Sequence, residues 1–488
     1  MRYKQLKIWG LSLWALVALC ASSATAATLN PLTTFGGADP GWRAPAELLP
    51  GDVASADTNS DGFYDFLWDV NDGIGFPDLE RGIAYNATTG NLLLLSRFGN
   101  PDTVKGLRIL DGSTGVDKGF VDFDTTNVTG GTFTRNMIGV AEDGAIYMAN
   151  LTTNVTSNPF KIYRWDNEAA ASPTLAYSGA PLAGARLGDT FDVIGSGANT
   201  RLVAGYARNP SVSGNNSFAI FDTIDGLNFT ATNVSVASTP PDGGDFGLGI
   251  TFQDEDTVIG MGSFSTTTTQ PRIVDVSGST GTLTDSFATD GFTLRPMDFA
   301  IIDGRPILAI MEASNSTDPI ARARLFVYDM SDLSLPLAER KIAEASALPT
   351  GMIQNANING TGQVKFGPIE GRTAIIYGLS TNNGIQAFEL TIDPVSSDDA
   401  DFDGDGNVDG QDFLTWQRNF GLIGGATLMD GDANGDQNVD GLDLSVWQNQ
   451  YGTVPPLSAA VVAVPEPATA WLALSGLVCF WTSRRNSR

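Results

Sequence analysis

The chain has 488 residues, a formal net charge of −27 and a hydrophobic fraction of 42%. Such acidity repels nucleic acid and anionic surfaces, and that apolar content excludes a disordered chain. The sequence holds no histidine and two cysteines, which excludes Ser-His-Asp hydrolysis and histidine-ligated zinc, copper or haem.

Arg2, Lys4 and Lys7 precede an apolar run from Ile8 to Cys20, and Ala24-Thr25-Ala26 offers a small-residue cleavage site. This order predicts a signal peptide over residues 1–27, hence an exported protein. The cysteines, Cys20 and Cys479, lie in the two hydrophobic ends. The processed chain would then carry no thiol and no disulfide, leaving its stability to a core and bound ions.

Next comes "DTNSDGFYD". Asp57, Asn59, Asp61 and Asp65 stand at positions 1, 3, 5 and 9 of a loop with Gly62 at position 6. Hard oxygen donors at that spacing suit calcium, and glycine permits the sharp turn around it. An Asp/Gly turn between two strands gives the same letters without an ion. The segment resembles the calcium loops of FG-GAP propeller repeats. Position 12 is Trp68, so a full EF-hand loop is not expected.

Residues 28–393 read as one all-β domain. Short β-rich runs are separated by Gly, Asn, Asp and Ser, and helical periodicity is scarce. One strand recurs: "LRILDG" at Leu107, "KIYRWD" at Lys161, "FAIFDT" at Phe218, "RIVDVS" at Arg272, "LFVYDM" at Leu325 and "IQAFEL" at Ile385. The acids that follow, Asp111, Asp166, Asp222, Asp275, Asp329 and Glu389, are 53 to 60 residues apart. A second run, such as "RGIAYN" at Arg81 or "MIGVAEDGAIYMAN" at Met137, precedes most of them. A four-stranded blade of about 50 residues fits this period, which predicts a six- or seven-bladed β-propeller. Residues 30–75 would supply a seventh blade, or complete the last one by joining N-terminal to C-terminal strands. The rivals are a pair of β-sandwiches and a parallel β-helix; the period is too long for most β-helix coils. Aligning the inner strands puts Arg81, Arg135, Asp189, Asp245 and Asp298 near one mouth of the channel. No catalytic set is assigned: such residues more often form salt bridges, and no local motif pairs them.

A linker over residues 394–400 leads to a repeat over residues 401–452. Asp401, Asp403, Asp405, Asn407, Asp409 and Asp412 fall at positions 1, 3, 5, 7, 9 and 12 of an EF-hand-type calcium loop, with Gly406 at position 6. Asp432, Asn434, Asp436, Asn438, Asp440 and Asp443 repeat the pattern, with Gln437 at position 6. Phe413, Trp416 and Phe420 correspond to Leu444, Trp447 and Tyr451, which predicts two short helices packing their aromatic faces together, closed by Gly421 and Gly452. This small C-terminal α-helical module resembles a type I dockerin. The resemblance implies calcium and a cohesin-like partner. It departs at positions 10 and 11, where Gly410 and Gln411 replace the family's Ser-Thr pair, so a familiar cohesin is not implied. A calcium-stapled spacer remains the plainer alternative.

After a linker over residues 453–464 comes a tail over 465–488. Pro465-Glu466-Pro467 precedes an apolar stretch to Trp481, and Arg484, Arg485 and Arg488 end it. Fourteen helical residues rise about 21 Å, short of the roughly 30 Å hydrocarbon core. The order resembles the PEP-CTERM sorting signal. That implies an exosortase-type processing enzyme, transient membrane association through the tail, and delivery to the cell surface or extracellular matrix; an ordinary C-terminal anchor is the alternative. Two functions follow from the whole. One is a non-enzymatic, calcium-stabilised exterior protein whose propeller binds a glycan, such as an extracellular polysaccharide, or a protein. The other is a glycoside hydrolase or lyase carrying a dockerin-like module.

Overall fold

The computed structural model describes residues 27–68, 78–99, 105–123, 127–207, 217–236, 246–261, 271–286, 294–313, 323–350, 352, 355–393 and 398–452. The expected signal peptide up to residue 26, the tail 465–488, the linker 453–464 and Asp245 lie outside the described residues. The chain divides into two compact units, Met1–Pro394 and Val395–Arg488. Among the described residues no helix is long and apolar enough to cross a membrane.

Unit 1 opens with β1 (Ala27–Pro31) and β2 (Trp42–Arg43). Four-stranded antiparallel meanders follow in chain order. The first holds β3 (Glu80–Asn86), β4 (Asn91–Ser96), β5 (Leu107–Asp111) and β6 (Asp117–Phe120). The next holds β7 (Phe133–Val140), β8 (Ile146–Leu151), β9 (Phe160–Trp165) and β10 (Thr174–Gly179). Then come β11 (Asp192–Ile194), β12 (Arg201–Gly205), β13 (Phe218–Thr223) and β14 (Phe229–Val236). They are joined through a parallel bridge from β14 to β15 (Gly249–Phe252), β16 (Thr257–Met261), β17 (Arg272–Ser277) and β18 (Thr280–Ser286), the bridge itself lying on β18. After these stand β19 (Leu294–Ile302), β20 (Arg305–Glu312), β21 (Leu325–Asp329) and β22 (Lys341–Ala345), with the one-turn helix α1 (Leu337–Arg340) before β22. The last group, β23 (Gly362–Glu370), β24 (Thr373–Ser380) and β25 (Ile385–Ile392), takes β1 as its fourth strand. Ala27 opposes Ile392 and Pro31 opposes Phe388 in that pairing, so the two ends of the unit share one sheet. β2 pairs with β25 as well. β1 thus completes the last sheet, and β2 adds a two-residue pairing to the same strand. The six recurring sequence segments are the third strands, β5, β9, β13, β17, β21 and β25.

The first strands stand side by side in a ring: β3 beside β7, then β11, β15, β19 and β23, which returns to β3. The arrangement is propeller-like. Its apolar residues lie between consecutive sheets, as with Leu93, Leu95, Ile138, Met148 and Trp165 between the first two. Ile307, Val327, Ile376 and Phe388 fill the same place between the last two. Second strands are covered on both faces and therefore read as unbroken apolar runs. Leu92, Leu93, Leu94 and Leu95 of β4 are all fully buried, each worth about 2 kcal/mol by transfer. The outermost strands alternate instead, as β18 does.

In unit 2, α2 (Gly410–Asn419) and α3 (Gly441–Gln450) each begin at an aspartate cap. Asp409 accepts from Gln411 N at 2.7 Å and Asp440 from Leu442 N at 2.7 Å, and Asp412 and Asp443 complete capping boxes. Gly421 and Gly452 follow the helices with φ of 92° and 79°, the left-handed region glycine enters freely. Val408, Val439, Ala433 and Trp416 are buried, with Phe413 and Trp447 packed on them. Phe420 and Tyr451 keep ring contact with Trp416 and Trp447, with centroids 5.1 and 4.9 Å apart, but stand at the edge of the aromatic face, each 59% exposed. Each is the residue after its helix, with extended ψ, so helical spacing no longer aims it inward. Asp399 and Ala400 belong to this unit, through Asp399 N to Ala433 O at 2.9 Å and Ala400 N to Gln450 Oε1 at 2.9 Å.

Candidate metal loops and the central cavity

The two loops of unit 2 fold alike. In the first, Asp401 accepts from the amides of Asp405 at 3.1 Å and Gly406 at 2.9 Å, and Asp405 accepts from Asn407 at 2.8 Å. In the second, Asp432 accepts from Asp436 at 3.2 Å and Gln437 at 2.8 Å, and Asp436 from Asn438 at 2.8 Å. Asp403 and Asn434 each accept from the amide two residues on. Carboxylate oxygens of Asp401, Asp403 and Asp412 lie within 4.8 Å of one another. These three could hold a cation, and an all-oxygen donor set is of the kind that fits calcium. Gln437 sits at φ 69°, where Gly406 has φ 88°. The second loop therefore forces a side chain into a conformation that glycine takes without strain.

The loop of unit 1 has the same register. Asp57 accepts from Asp61 N at 3.1 Å and Gly62 N at 3.0 Å, Asn59 accepts from Asp61 N at 3.0 Å, and Asp61 accepts from Phe63 N at 3.0 Å. Oxygens of Asp57, Asp61 and Asp65 converge within 4.8 Å. Asp65 is buried, and burial, with the charges of Asp57 and Asp61 adding to it, raises its carboxyl. The loop precedes the first meander and does not join two of its strands, unlike the hairpin turn that its letters also allow.

At the axis, side chains of β23 cross the ring. Gln363 Nε2 donates to the carbonyls of Ile138 at 2.9 Å and Phe191 at 3.2 Å. A Cβ on Gly82 would stand 2.4 Å from Gln363 Oε1, so that position has no space for a larger residue. Two residues on, Lys365 Nζ donates to Asp192 at 2.5 Å and to Asp298 at 2.9 Å. The other oxygens are also engaged: Asp192 Oδ2 accepts from Thr251 Oγ1 at 3.0 Å and Phe252 N at 2.9 Å, and Asp298 Oδ2 from Phe366 N at 2.8 Å. Burial opposes the Lys365 charge, but the two carboxylates outweigh it and raise the ammonium.

This triad lines a cavity of about 290 Å³ shared with Tyr85, Glu142, Phe299 and Ile369. A second cavity of about 450 Å³ lies between the last and first sheets, lined by Tyr85, Asp111, Glu370, Tyr377 and Glu389. Tyr85 is a wall of both. Its ring stacks on Tyr377, with centroids 5.8 Å apart and planes at 23°.

The expected grouping of Arg81, Arg135, Asp189 and Asp298 at one mouth divides in two. Arg81 and Arg135 stand near the start of β3 and β7, where Arg81 feels the charge of Asp189 and Arg135 donates to the carbonyls of Arg97, Phe98 and Gly99. Asp298 lies farther along its strand, on the axial cavity. β7 and β19 both carry an irregularity, between Phe133 and Met137 and between Leu294 and Met297, so the residue of β19 that matches Arg135 is Arg295, not Asp298. Asp192, Thr251, Gln363 and Lys365 were not expected. The available signal was a lysine between the apolar Val364 and Phe366 in "QVKFG", on a strand whose first residues are buried.

The family DUF4623, described as a domain of unknown function, matches residues 53–330. Among solved structures the chain is similar to a DUF4623 family protein from Bacteroides eggerthii DSM 20697, at 18% identity and a TM-score of 0.49, over 65% of this chain and 72% of that one. It is also similar to an alpha-L-arabinanase from Penicillium chrysogenum complexed with arabinobiose, at 10% identity and a TM-score of 0.41, over 64% and 93%. No curated protein matches significantly.

Proposed function

The chain belongs to the DUF4623 family, and on the strength of its own residues we propose that it is an exported protein whose unit 1, a six-bladed propeller, binds a glycan without turning it over. Unit 2 is a dockerin-like module folded around calcium by the two loops at 401–412 and 432–443. The N-terminal segment directs export, and the tail is a PEP-CTERM signal processed by an exosortase-type enzyme, which leaves the protein at the cell surface or in the matrix. Unit 2 offers a surface for a cohesin-like partner.

One observation carries the choice of binding over catalysis. Lys365 holds both axial carboxylates, and backbone or threonine donors take their remaining oxygens. Glycosidic hydrolysis needs one carboxyl free to give a proton and another free to attack or to activate water; in the axial cavity the held pair leaves Glu142 as the one other carboxyl among the described residues. The adjoining cavities instead present an aromatic wall and hydrogen-bond acceptors in Glu142, Glu370 and Glu389. Hydroxyl groups satisfy such acceptors, whereas uronate or sulfate groups meet repulsion, so the ligand class is a neutral glycan.

Affinity electrophoresis of the full-length protein in gels of neutral and of acidic polysaccharides tests this. Retardation by a neutral polymer, reduced at least tenfold in affinity by Tyr85→Ala, is expected. Binding to acidic polymers alone, or binding unaffected by Tyr85→Ala and Glu142→Gln, contradicts it.

A further inference from the structure

Residues 42–67 form a strap between the sheet that closes the ring and the first meander. At one end Trp42 and Arg43 pair with Gln386 and Ile385 of β25. At the other, Val53 N donates to Asp117 O at 3.0 Å and Tyr64 Oη donates to Asp117 Oδ2 at 2.8 Å. Between them runs a buried ionic chain. Arg43 pairs with Asp52 at 2.7 Å, Asp52 accepts from Asp117 N at 2.7 Å, and Asp117 pairs with Arg108 at 2.8 Å. Arg43 also lies over the Tyr64 ring, 3.9 Å from its centroid. The strap therefore joins the two sheets at the seam of the ring, where only β1 otherwise completes the closing sheet.

The strap contains the 57–65 loop. Its tip is exposed, while Tyr64 and Asp65 are 0% and 1% exposed. Asp65 Oδ2 accepts from Thr58 N at 2.6 Å, but its Oδ1, equally buried, has no hydrogen-bond partner. Among the described residues, none of Asp57, Asp61 and Asp65 pairs with a lysine or arginine. A buried carboxylate oxygen left without a donor is costly, and two further carboxylates beside it add repulsion. A cation among the three removes both penalties. Oxygen-only ligands, the amide register shared with the unit 2 loops, and the left-handed Gly62 at φ 91° select calcium over a transition metal.

We propose that Asp57, Asp61 and Asp65 hold a calcium ion, and that this ion fastens the strap across the seam of the ring. The site is separate from the loops of unit 2 and from the glycan cavities. Calcium bound here stabilises unit 1 itself, because its ligand Asp65 directly follows Tyr64, which is tied into the ionic chain through Asp117 and Arg43.

The test uses the full-length protein. Calcium stoichiometry is measured by calorimetry for the wild type and for Asp61→Asn, an exposed change that keeps the acceptor for Phe63 N. Hydrogen exchange is followed at the amides of Val53, Tyr64 and Asp65 with calcium or chelator. Asp61→Asn should bind one calcium fewer per chain, and calcium should slow exchange at those amides at least tenfold in the wild type only. Should Asp61→Asn fold poorly, Asp57→Asn serves the same comparison, and the wild-type exchange data stand alone. Unchanged stoichiometry in the variant, or wild-type exchange at these amides that ignores calcium, overturns the proposal.

Discussion

The indole of Trp447 donates to the backbone carbonyl of Asp409 at 2.8 Å, and Trp416 returns the bond to the carbonyl of Asp440 at 2.7 Å. Each helix thus holds the other repeat's loop at position 9. Gly421 N and Gly452 N make a similar exchange with Val439 O and Val408 O. Two acidic loops that repel internally are in this way bound to one small core, which makes their closure interdependent.

A fragment spanning residues 395–455 should therefore gain helix on adding calcium and lose it with chelator, read by circular dichroism. Trp447→Phe should keep the ring contact with Phe413 but lose the bond to Asp409, weakening the fold by about 1 kcal/mol. A spectrum indifferent to calcium refutes the metal assignment of unit 2.

Lys365 is the only cation bonded to both Asp192 and Asp298 among the described residues. Lys365→Met should destabilise unit 1 by about 3–5 kcal/mol, since two buried carboxylates then face each other unpaired. Adding Asp192→Asn and Asp298→Asn should restore part of that loss. Urea unfolding of the three proteins measures it, and an unaltered midpoint for Lys365→Met would show the triad to be incidental.

Glu80 gives a pH dependence. Its side chain is buried, Oε1 accepts from Asn382 N at 2.6 Å, and Oε2 has no partner. Burial pushes the carboxyl up to about 7 from 4.5. A folded value above the unfolded one means the folded state binds the proton more tightly. Stability from this group is full below about pH 4.5, falls as pH rises toward 7, and stays lower above it, by about 3 kcal/mol. Glu80→Gln should remove that slope, so the difference in melting temperature between pH 5 and pH 8 should shrink. An unchanged difference contradicts the burial argument.

Processing is checked by intact mass. Protein from its native host should begin near Ala27 and end near Pro467. Retention of Trp471 through Arg488 indicates a permanent anchor.

The third strands were legible because each is an apolar run ending in an acid, and those acids have a local structural use. Asp222 and Asp329, for instance, bind Arg201 and Arg305 at the start of the neighbouring strand. The amide register of the loop aspartates was legible because Asx-type bonds impose short fixed offsets. The axial triad was not. Asp192, Asp298 and Lys365 are brought together by ring closure across 173 and 67 residues. Nor could helical spacing reveal that Phe420 and Tyr451 stand just past their helices.

The proposed binding of a neutral glycan by unit 1, with its axial carboxylates immobilised by Lys365, is open to a direct assay. Full-length protein with calcium is incubated with the neutral polysaccharide that retards it, and new reducing ends and unsaturated products are followed over time. Retention on the polymer with no product is the predicted result. Product formation that is abolished by Asp298→Asn, while folding and glycan binding survive, would contradict it and identify a carbohydrate-active enzyme.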